Sequence, residues 1–388
     1  MTRIDLVEVP PPPPAARLGL LVPGLGHLLT GDRIVGVGLL GVDAWLLWAA
    51  IAGFPRLGEV TGLAGTRLSW HGLVALGTWA VLAAGAWGLA WRCAFPRPYD
   101  AERANSAWGI FRRELRRNRN GMLGLVGVVQ LFALTLLAPL ISPFDPDMVD
   151  AGTKLLGPDA TYLFGTDEFG RDVFSRVVMG ARISVAIGFI AVSIAATLGT
   201  TLGALAGWFG GWLDRVLMWV VDLLLSVPRL VLLLAIVGLF RPPGAIAIFV
   251  IVVVLGLTGW MGVSRIVRSQ VLSLKEQDFI QAARALGMGH ARIIFVHLIP
   301  NAFAPVIVYG SLAVGTTMLA EASLSFLGLG VQPPTSTWGT LVADGRHKLQ
   351  IAPWIALFPG LAIVYAVMCF NLLGDGLRDA LDPKQRGA

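Results

Sequence analysis

The sequence is poor in charged residues and in cysteine. Only 14% of its 388 residues are Asp, Glu, Lys or Arg, 55% are hydrophobic, and the mean hydropathy is +0.72. A soluble domain has about 25% charged residues, so this composition excludes an ordinary soluble protein and indicates a polytopic membrane protein. The two cysteines, Cys93 and Cys369, allow one disulfide at most. We expect both to be reduced thiols, because each lies near the predicted cytoplasmic end of a membrane span.

Sequence motifs for catalysis are also missing. None of the lysines (Lys154, Lys275, Lys348 and Lys384) follows a glycine, so there is no Gly-Lys-Ser/Thr loop to hold a nucleotide phosphate. The histidines lack the spacing of a metal site, and neither Gly-x-Ser-x-Gly nor His-Glu-x-x-His occurs. We therefore expect no enzymatic activity and no bound cofactor or metal. We attribute the net charge of +6 to the cytoplasmic loops of a membrane protein and not to nucleic-acid binding.

Long apolar runs predict an all-α polytopic membrane protein. Most are close to the roughly 20 residues that a helix needs to cross the hydrocarbon core. The predicted spans are residues 34–54, 70–91, 120–141, 183–208, 216–240, 245–263, 302–326 and 354–373. The first two form an extra hairpin within residues 18–91, which follows a proline-rich tail, residues 1–17. The other six form a core domain, residues 120–381, and residues 382–388 are a short tail.

The distribution of arginine predicts the orientation of the chain in the membrane. Residues 92–119 contain eight arginines, and short basic segments beside membrane spans stay in the cytoplasm. Six crossings after this linker return the chain to the same side. We therefore expect both termini and residues 264–300 in the cytoplasm, and residues 142–179 on the extracytoplasmic side.

Residues 278–301, DFIQAARALGMGHARIIFVHLIPN, form a polar interruption between two predicted spans. The pattern predicts a short amphipathic helix over residues 275–286. Its apolar positions are Phe279, Ala282, Ala283 and Leu286. Gly287 then permits a turn that a side chain would hinder, and Arg284 offers positive charge to a partner protein or to lipid phosphates.

The second half of this segment is another amphipathic run, residues 291–298. Its residues Ile293, Ile294 and His297 are predicted to share one side. Pro300 suits the first turn of the next helix, because its missing N–H needs no partner there. The two halves together predict a bent pair of helices outside the bilayer.

The order of residues in this segment is similar to that of a known family. The residues concerned are Gln281, Ala282, Ala283, Arg284, Gly287, His297, Pro300 and Asn301. They resemble the cytoplasmic loop with which permease subunits of ATP-binding-cassette (ABC) importers dock on their ATPases. That family usually has glutamate at the position of Gln281, so the resemblance implies no salt bridge there. The amide can still form a hydrogen bond, weaker than a charge-assisted one.

A second motif, LFGTDEFGRDVFSRVVMGARISV, occupies residues 163–185 in the predicted extracytoplasmic loop. Its glycines permit tight turns, Thr166 or Asp167 can cap a helix, and residues 172–181 predict a helix lying on the membrane surface. The defining residues are Gly165, Thr166, Asp167, Gly170, Arg171 and Asp172. This motif resembles the C-type permease subunit of the dipeptide, oligopeptide and nickel ABC importers. The resemblance covers about residues 118–381.

Several polar residues and glycines lie within the predicted spans. Asp222 and Arg229 are seven residues apart, which places them on one face of a helix that Pro228 would kink. We expect them to line a transport path or to pack against a partner subunit, and Glu321 to lie near the outer end of its helix. The glycines at every fourth position of one span predict close helix packing. They are Gly199, Gly203 and Gly207.

The resemblance implies a type I ABC importer fold, with a six-helix permease core, in a bacterial inner membrane. The implied partners are a B-type permease, two ABC ATPases that hold ATP and Mg, an extracytoplasmic solute-binding protein and membrane lipid. Dipeptides, longer peptides, glutathione and a nickel chelate remain open as substrates. Two other classes also remain open: an ion-coupled secondary transporter that uses Asp222, and a membrane anchor or assembly protein that does not need the docking loop.

Overall fold

The structure is a computed structural model of the chain that describes residues 107–240 and 245–381, together with Leu40, Ala80 and Ala83. The predicted proline-rich tail, most of the N-terminal hairpin, the first part of the basic linker and the C-terminal tail lie outside the described residues. Within the described ranges the protein is helical and has no β-strand, only an isolated antiparallel bridge between Thr166 and Asp172.

Eleven helices follow one another in the described part of the chain. They are α1 (Ala107–Arg117), α2 (Arg119–Ile141), α3 (Val173–Phe209), α4 (Gly211–Leu225), α5 (Arg229–Phe240), α6 (Ala245–Leu257), α7 (Trp260–Leu274), α8 (Asp278–Ala285), α9 (His290–Phe326), α10 (Trp338–Gly345) and α11 (Trp354–Leu381). Short 3-10 turns occur at Ala151–Thr153 and Arg346–Lys348. Helix α9 includes a π-helical turn, Ile293–Leu298.

Five helical segments in the described part of the chain are long and apolar enough to cross a membrane, or six if the bent pair α4 and α5 counts as one span. Helices α2, α3, α9 and α11 each form one segment, and α6 with α7 forms another, Ile246–Lys275. The all-α membrane fold is therefore confirmed. The predicted span over residues 216–240 is broken where the kink at Pro228 is expected, because α4 and α5 meet at 88° across Ser226–Pro228.

Helix α3 also differs from the prediction. Residues 172–181 do not form a separate helix on the membrane surface. They are the cap and first turns of a helix of 37 residues, about 55 Å long. Val173, Phe174 and Val177 are all buried, because the second motif lies under other parts of the chain and not against lipid. The same alternation of charged and apolar residues suits a helix on the membrane surface and a helix start that is buried within the protein.

Close helix packing through glycine is confirmed along α3. A Cβ atom at Gly199 would lie 2.5 Å from the Cβ of Val263, and one at Gly203 would lie 2.4 Å from the backbone oxygen of Ser264. Gly207 meets Val271 in the same way. The stripe of glycine therefore lets α7 lie directly against the backbone of α3.

Chain direction places the two motifs at opposite ends of the bundle. Helix α2 packs antiparallel to α11, since Asn118 Nδ2 donates to Asp379 Oδ2 at 2.6 Å. Helix α3 runs back from the far end of α2, so its last turn lies at the same end as Asn118. We call this the arginine end, after the basic helix α1, and the opposite end the cap end. Segment 275–301, which we call the docking segment after its predicted contact, lies at the arginine end. The loop before α3, residues 142–172, lies at the cap end, and we call it the cap.

Candidate functional site: the docking segment and the cap

Helix α8 ends in a tight glycine turn. The Gly287 N–H donates to the carbonyl of Arg284 at 2.9 Å, and the Met288 N–H donates to the carbonyl of Ala283 at 3.1 Å. These two hydrogen bonds form a Schellman motif. Gly287 has φ of +74°, a left-handed conformation that suits glycine because it has no Cβ. The predicted turn is therefore present, and the α-helix before it is shorter than residues 275–286.

One side of α8 is buried against the transmembrane helices. Ile280 is fully buried and Ala283 nearly so, in a cluster with Val267 and Val271 of α7. The Gln281 side chain donates from Nε2 to the carbonyl of Lys275 at 3.1 Å. The amide of Gln281 therefore binds its own chain.

The opposite side of α8 is an exposed apolar stripe. It consists of Phe279, Ala282 and Leu286, which are spaced three and four residues apart and therefore share one face. Phe279 is 44% exposed and Leu286 is 77% exposed. The four predicted apolar positions therefore divide between two environments, because Ala283 alone faces inward. Hydrophobic periodicity identified the helix and not the side that packs inside the protein.

The second half of the segment is continuous with the next span. Ile293, Ile294 and Leu298 are buried in the same cluster, whereas His297 is half-buried. Pro300 lies in the first turn of the α-helical part of α9, as predicted, but no break precedes it. The π-helical turn Ile293–Leu298 comes directly before it, and such turns accommodate a disturbed hydrogen-bond ladder within one helix.

Trp208, near the end of α3, joins the parts of this segment. The Arg284 guanidinium carbon lies 4.3 Å from the centre of the Trp208 ring, a cation–π contact. The indole Nε1 of Trp208 donates to His290 Nδ1 at 3.2 Å, and Lys275 Nζ donates to the Trp208 carbonyl at 3.2 Å. We call Trp208, Lys275, Arg284 and His290 the Trp208 clamp. The sequence predicted only that Trp208 ends a span.

The remaining predicted residue of the segment, Asn301, binds the π-helical turn. Its Nδ2 donates to the carbonyl of His297 at 2.6 Å. The Asn301 side chain thus links the first turn of the α-helical part of α9 to the π-helical turn. Asn301 and His297 are therefore brought together in α9, whereas the predicted docking residues 281–284 lie in α8.

At the cap end, Asp167 is the centre of the second motif. Its Oδ1 accepts from the backbone N–H groups of Phe169 at 2.8 Å and of Arg171 at 3.0 Å. Its Oδ2 accepts from Arg171 Nε and from Arg176 Nη1, both at 2.7 Å. The Asp167 and Arg176 side chains are 3% and 4% exposed. Arg176 also donates from Nε to Ser336 Oγ at 3.1 Å, which ties α3 to the loop before α10.

Neither Thr166 nor Asp167 caps a helix, contrary to the prediction. The Thr166 hydroxyl donates to the Thr153 carbonyl and accepts from the Leu156 N–H, so it closes the loop. Asp172 caps α3 instead, with its Oδ2 accepting from the Ser175 N–H at 2.8 Å. Burial raises the pKa of Asp172 above its usual value, and the hydrogen bonds of Ser175 act in the opposite direction.

The two predicted glycine turns of the cap are present. Gly165 and Gly170 have φ of +72° and +77°, both in the left-handed region that favours glycine. Trp354, at the start of α11, donates from Nε1 to the carbonyl of Thr166 at 3.1 Å. The cap is therefore bound to α3, to α11 and to the loop before α10.

Asp222 and Arg229 do not share a helix face. Asp222 lies in the last turn of α4 and forms an ion pair with Arg265 of α7, whereas Arg229 begins α5 beyond the 88° bend. Within the described residues, Arg229 Nε is buried and has no hydrogen-bond partner. A second pair, Arg268 Nη2 with Asp214 Oδ2 at 2.7 Å, also joins α7 to α4. The seven-residue spacing predicted a shared face only for an unbroken helix, and the chain breaks between Asp222 and Arg229.

Glu321 is 1% exposed, and α9 continues past it to Phe326. Its Oε1 accepts from Ser325 Oγ at 2.8 Å and from Thr337 Oγ1 at 3.0 Å. The carboxyl group thus connects α9 to the start of α10 within the protein. Across residues 107–240 and 245–381, no three His, Cys, Asp or Glu side chains come together as a metal site.

Comparison with known proteins identifies the family. Residues 199–387 match the family described as binding-protein-dependent transport system inner membrane component, and residues 106–158 match the N-terminal TM domain of oligopeptide transport permease C. The dipeptide transport system permease protein DppC of Alkalihalophilus pseudofirmus is 43% identical over 292 residues, 75% of this chain and 94% of the relative. The oligopeptide transport system permease protein OppC of Escherichia coli K12 is 43% identical over 283 residues, 72% of this chain and 92% of the relative.

A relative with a different named substrate is nearly as similar. The glutathione transport system permease protein GsiD of Shigella flexneri is 41% identical over 287 residues, 74% of this chain and 93% of the relative. All three relatives are matched over almost their whole length. This chain therefore belongs to the family of binding-protein-dependent transport system inner membrane components, as a C-type permease subunit that spans the membrane several times.

Proposed function

We propose that this protein is the C-type permease subunit of an ATP-driven peptide importer. The observation that carries the proposal is the 43% identity that extends over 94% of a dipeptide permease and 92% of an oligopeptide permease. The protein forms the translocation path together with a B-type permease. ATP and Mg are bound by two separate ATPase subunits, and a solute-binding protein delivers the peptide from outside.

The docking segment supplies the contact with an ATPase. Helix α8 is held from one side and presents the apolar stripe on the other, where Leu286 is 77% exposed. Such an exposed apolar face, with Ala282 at its centre, fits a groove on a partner protein. ATP can shift the permease between inward and outward access only if the ATPases contact this stripe differently in the two states.

The orientation follows from the arginines. We assign the arginine end, with α1 and the docking segment, to the cytoplasm because of the excess of arginine before α2. The cap end is then extracytoplasmic, and both chain termini are cytoplasmic. The extra N-terminal hairpin, residues 18–91, is an addition to the permease core, which occupies residues 120–381.

The substrate is a dipeptide or a short oligopeptide in this proposal. Glutathione is the second candidate, because the 41% identity to a glutathione permease is close to the 43% identity to the peptide permeases. Glutathione is itself a tripeptide, so one path can suit both. A nickel chelate remains a less favoured alternative from the sequence.

The test is reconstitution of the complete importer in lipid vesicles. The chain is co-expressed with its B-type permease, both ATPases and the binding protein, and uptake of radiolabelled trialanine is measured with ATP, without ATP, and with an imposed proton or sodium gradient. We expect uptake that requires ATP and is reduced by unlabelled dipeptides. Uptake driven by the gradient alone would instead support a secondary transporter, and stronger competition by glutathione than by any other peptide would move the substrate to glutathione.

A further inference from the structure

Trp208 lies where three separate parts of the docking segment meet. Lys275 precedes α8, Arg284 lies in its last turn, and His290 begins α9. Each contacts a different part of Trp208: the carbonyl, the ring face and the indole N–H. The Trp208 clamp therefore holds the segment before, within and after α8.

The three contacts of the Trp208 clamp fix the orientation of α8, which the apolar packing under this helix does not. Ile280 and Ala283 bury α8 against the other helices, but apolar contact is not directional. A short helix on such a surface can rotate or slide at low cost. The two hydrogen bonds and the stacked guanidinium are directional, so α8 cannot change its angle to α3 without breaking at least one of them.

Helix α3 is suited to receive such a movement. It runs without proline from Asp172 at the cap to Phe209, whereas α2, α9 and α11 each contain an internal proline. Its other end is bound to the cap through the buried pair of Arg176 with Asp167. A displacement of α8 that is passed to Trp208 therefore acts on a continuous helix of 37 residues.

We propose that Trp208 is the positioning residue that couples the docking helix to α3. Trp208 is only 4% exposed, so it acts through Arg284 and His290 and does not itself form the docking surface. This proposal rests on the proposed function, since it concerns how the movement of the ATPases reaches the translocation path. Its signature is a loss of coupling: ATP is still hydrolysed, but fewer peptides are transported per ATP.

The experiment measures peptide uptake and ATP hydrolysis on the same reconstituted complexes. Trp208→Leu removes both the stacking surface and the indole donor, and Trp208→Phe removes only the donor. Single changes along a coupling route alter it by amounts that correspond to roughly 2- to 30-fold. We expect the number of peptides transported per ATP to decrease by a factor near the upper end of that range in Trp208→Leu and near the lower end in Trp208→Phe. The amount of ATPase subunit that co-purifies should be similar in both.

The matched control is Trp212→Leu. Trp212 is the next tryptophan along the chain, is 71% exposed and is not part of the clamp, so its replacement should leave the ratio unchanged. Arg284→Gln removes the stacked cation and should lower the ratio as Trp208→Phe does. Hydrogen exchange in α8 of the intact complex gives an independent readout, and it should be faster in both Trp208 variants than in Trp212→Leu.

The outcomes separate the two proposals. Absence of ATP-driven uptake by the unaltered complex would overturn the proposed function and, with it, this coupling role. Normal uptake by the unaltered complex with an unchanged ratio in Trp208→Leu would overturn the coupling role alone. If Trp208→Leu does not assemble, Trp208→Phe and Arg284→Gln decide, and an unchanged ratio in both would overturn it.

Discussion

The two ends of helix α3 are held in different ways. At the cap end, Asp167 and Arg176 are almost fully buried and the carboxylate accepts four hydrogen bonds. At the arginine end, Trp208 is buried but its partners, Arg284 and His290, are exposed. Hydrogen bonds between exposed groups are broken at a lower free-energy cost than those between buried groups. The cap is therefore built as a fixed point, and the docking segment as a part that can move.

The largest expected effect comes from removing the buried ion pair at the cap end. Asp167→Ala leaves the buried Arg176 guanidinium without its main partner, and loss of one member of a buried pair costs about 3–5 kcal/mol. We expect a large fall in the thermal unfolding temperature of the purified protein in lipid nanodiscs. Glu168→Gln is the control, because Glu168 is 45% exposed and pairs with Lys348 at 3.5 Å, an interaction worth about 0–1 kcal/mol. Equal unfolding temperatures for the two variants would show that the cap is not held by buried charge.

The next effect concerns the turn of the movable end. Gly287→Val forces a branched residue into φ of +74°, at a cost of about 1–2 kcal/mol, although an added Cβ would have no heavy atom within 4 Å. We expect the protein to insert in the membrane and transport to be lost, because the turn reorients α8. Gly287→Asn is the matched control, since Asn tolerates left-handed backbone and should keep most of the uptake. Normal uptake by Gly287→Val would contradict a role for this turn in coupling.

A smaller effect separates docking from folding. Leu286→Ala on the apolar stripe should leave the free energy of unfolding within about 0.5 kcal/mol, because Leu286 is 77% exposed. Its loss should nevertheless weaken binding of the ATPases by about 1–2 kcal/mol, as for an apolar contact of moderate strength in an interface. Leu349→Ala, at an exposed site of the cap end, is the control and should bind ATPases normally. Titration of each permease variant in nanodiscs with labelled ATPase measures the binding affinity. Equal affinities of Leu286→Ala and Leu349→Ala would exclude the stripe from the docking surface.

The smallest expected effect is a pH dependence at the cap. Burial raises the pKa of Asp172 above the usual 3.8, so the folded protein binds this proton more tightly than the unfolded chain does. The stability from this proton is present below the usual carboxyl pKa and is lost as pH rises through the raised value. Asp172→Asn keeps a cap residue for α3 but does not titrate.

The measurement for Asp172 is the difference in unfolding temperature between the two proteins. As pH rises above 3.8, the usual pKa of this carboxyl, we expect the unaltered protein to lose stability relative to Asp172→Asn. A constant difference across this range would mean that the Asp172 carboxyl does not change its protonation there.

Local features of the sequence were sufficient for some of these elements. The turn at Gly287, the positive φ at Gly165 and Gly170, and the close approach of α7 to the glycines of α3 all follow from the absence of a Cβ. The spans follow from the length of apolar runs, and the family from the order of residues in two short motifs. Each of these features depends on the chemistry of adjacent residues, which the sequence displays directly.

Other elements depended on which distant residue came to lie nearby. The sequence determined that residues 278–301 form two helical parts joined at a glycine turn and that the chain is an all-α membrane permease. Tertiary structure alone decided that Asp222 pairs with Arg265 and not with Arg229, and that Asp172 caps α3. It also decided that Trp208 contacts three residues of the docking segment. The physical reason is that periodicity describes one helix, whereas an ion pair, a cap or a stacked ring requires a partner whose position is determined by the packing of the whole bundle.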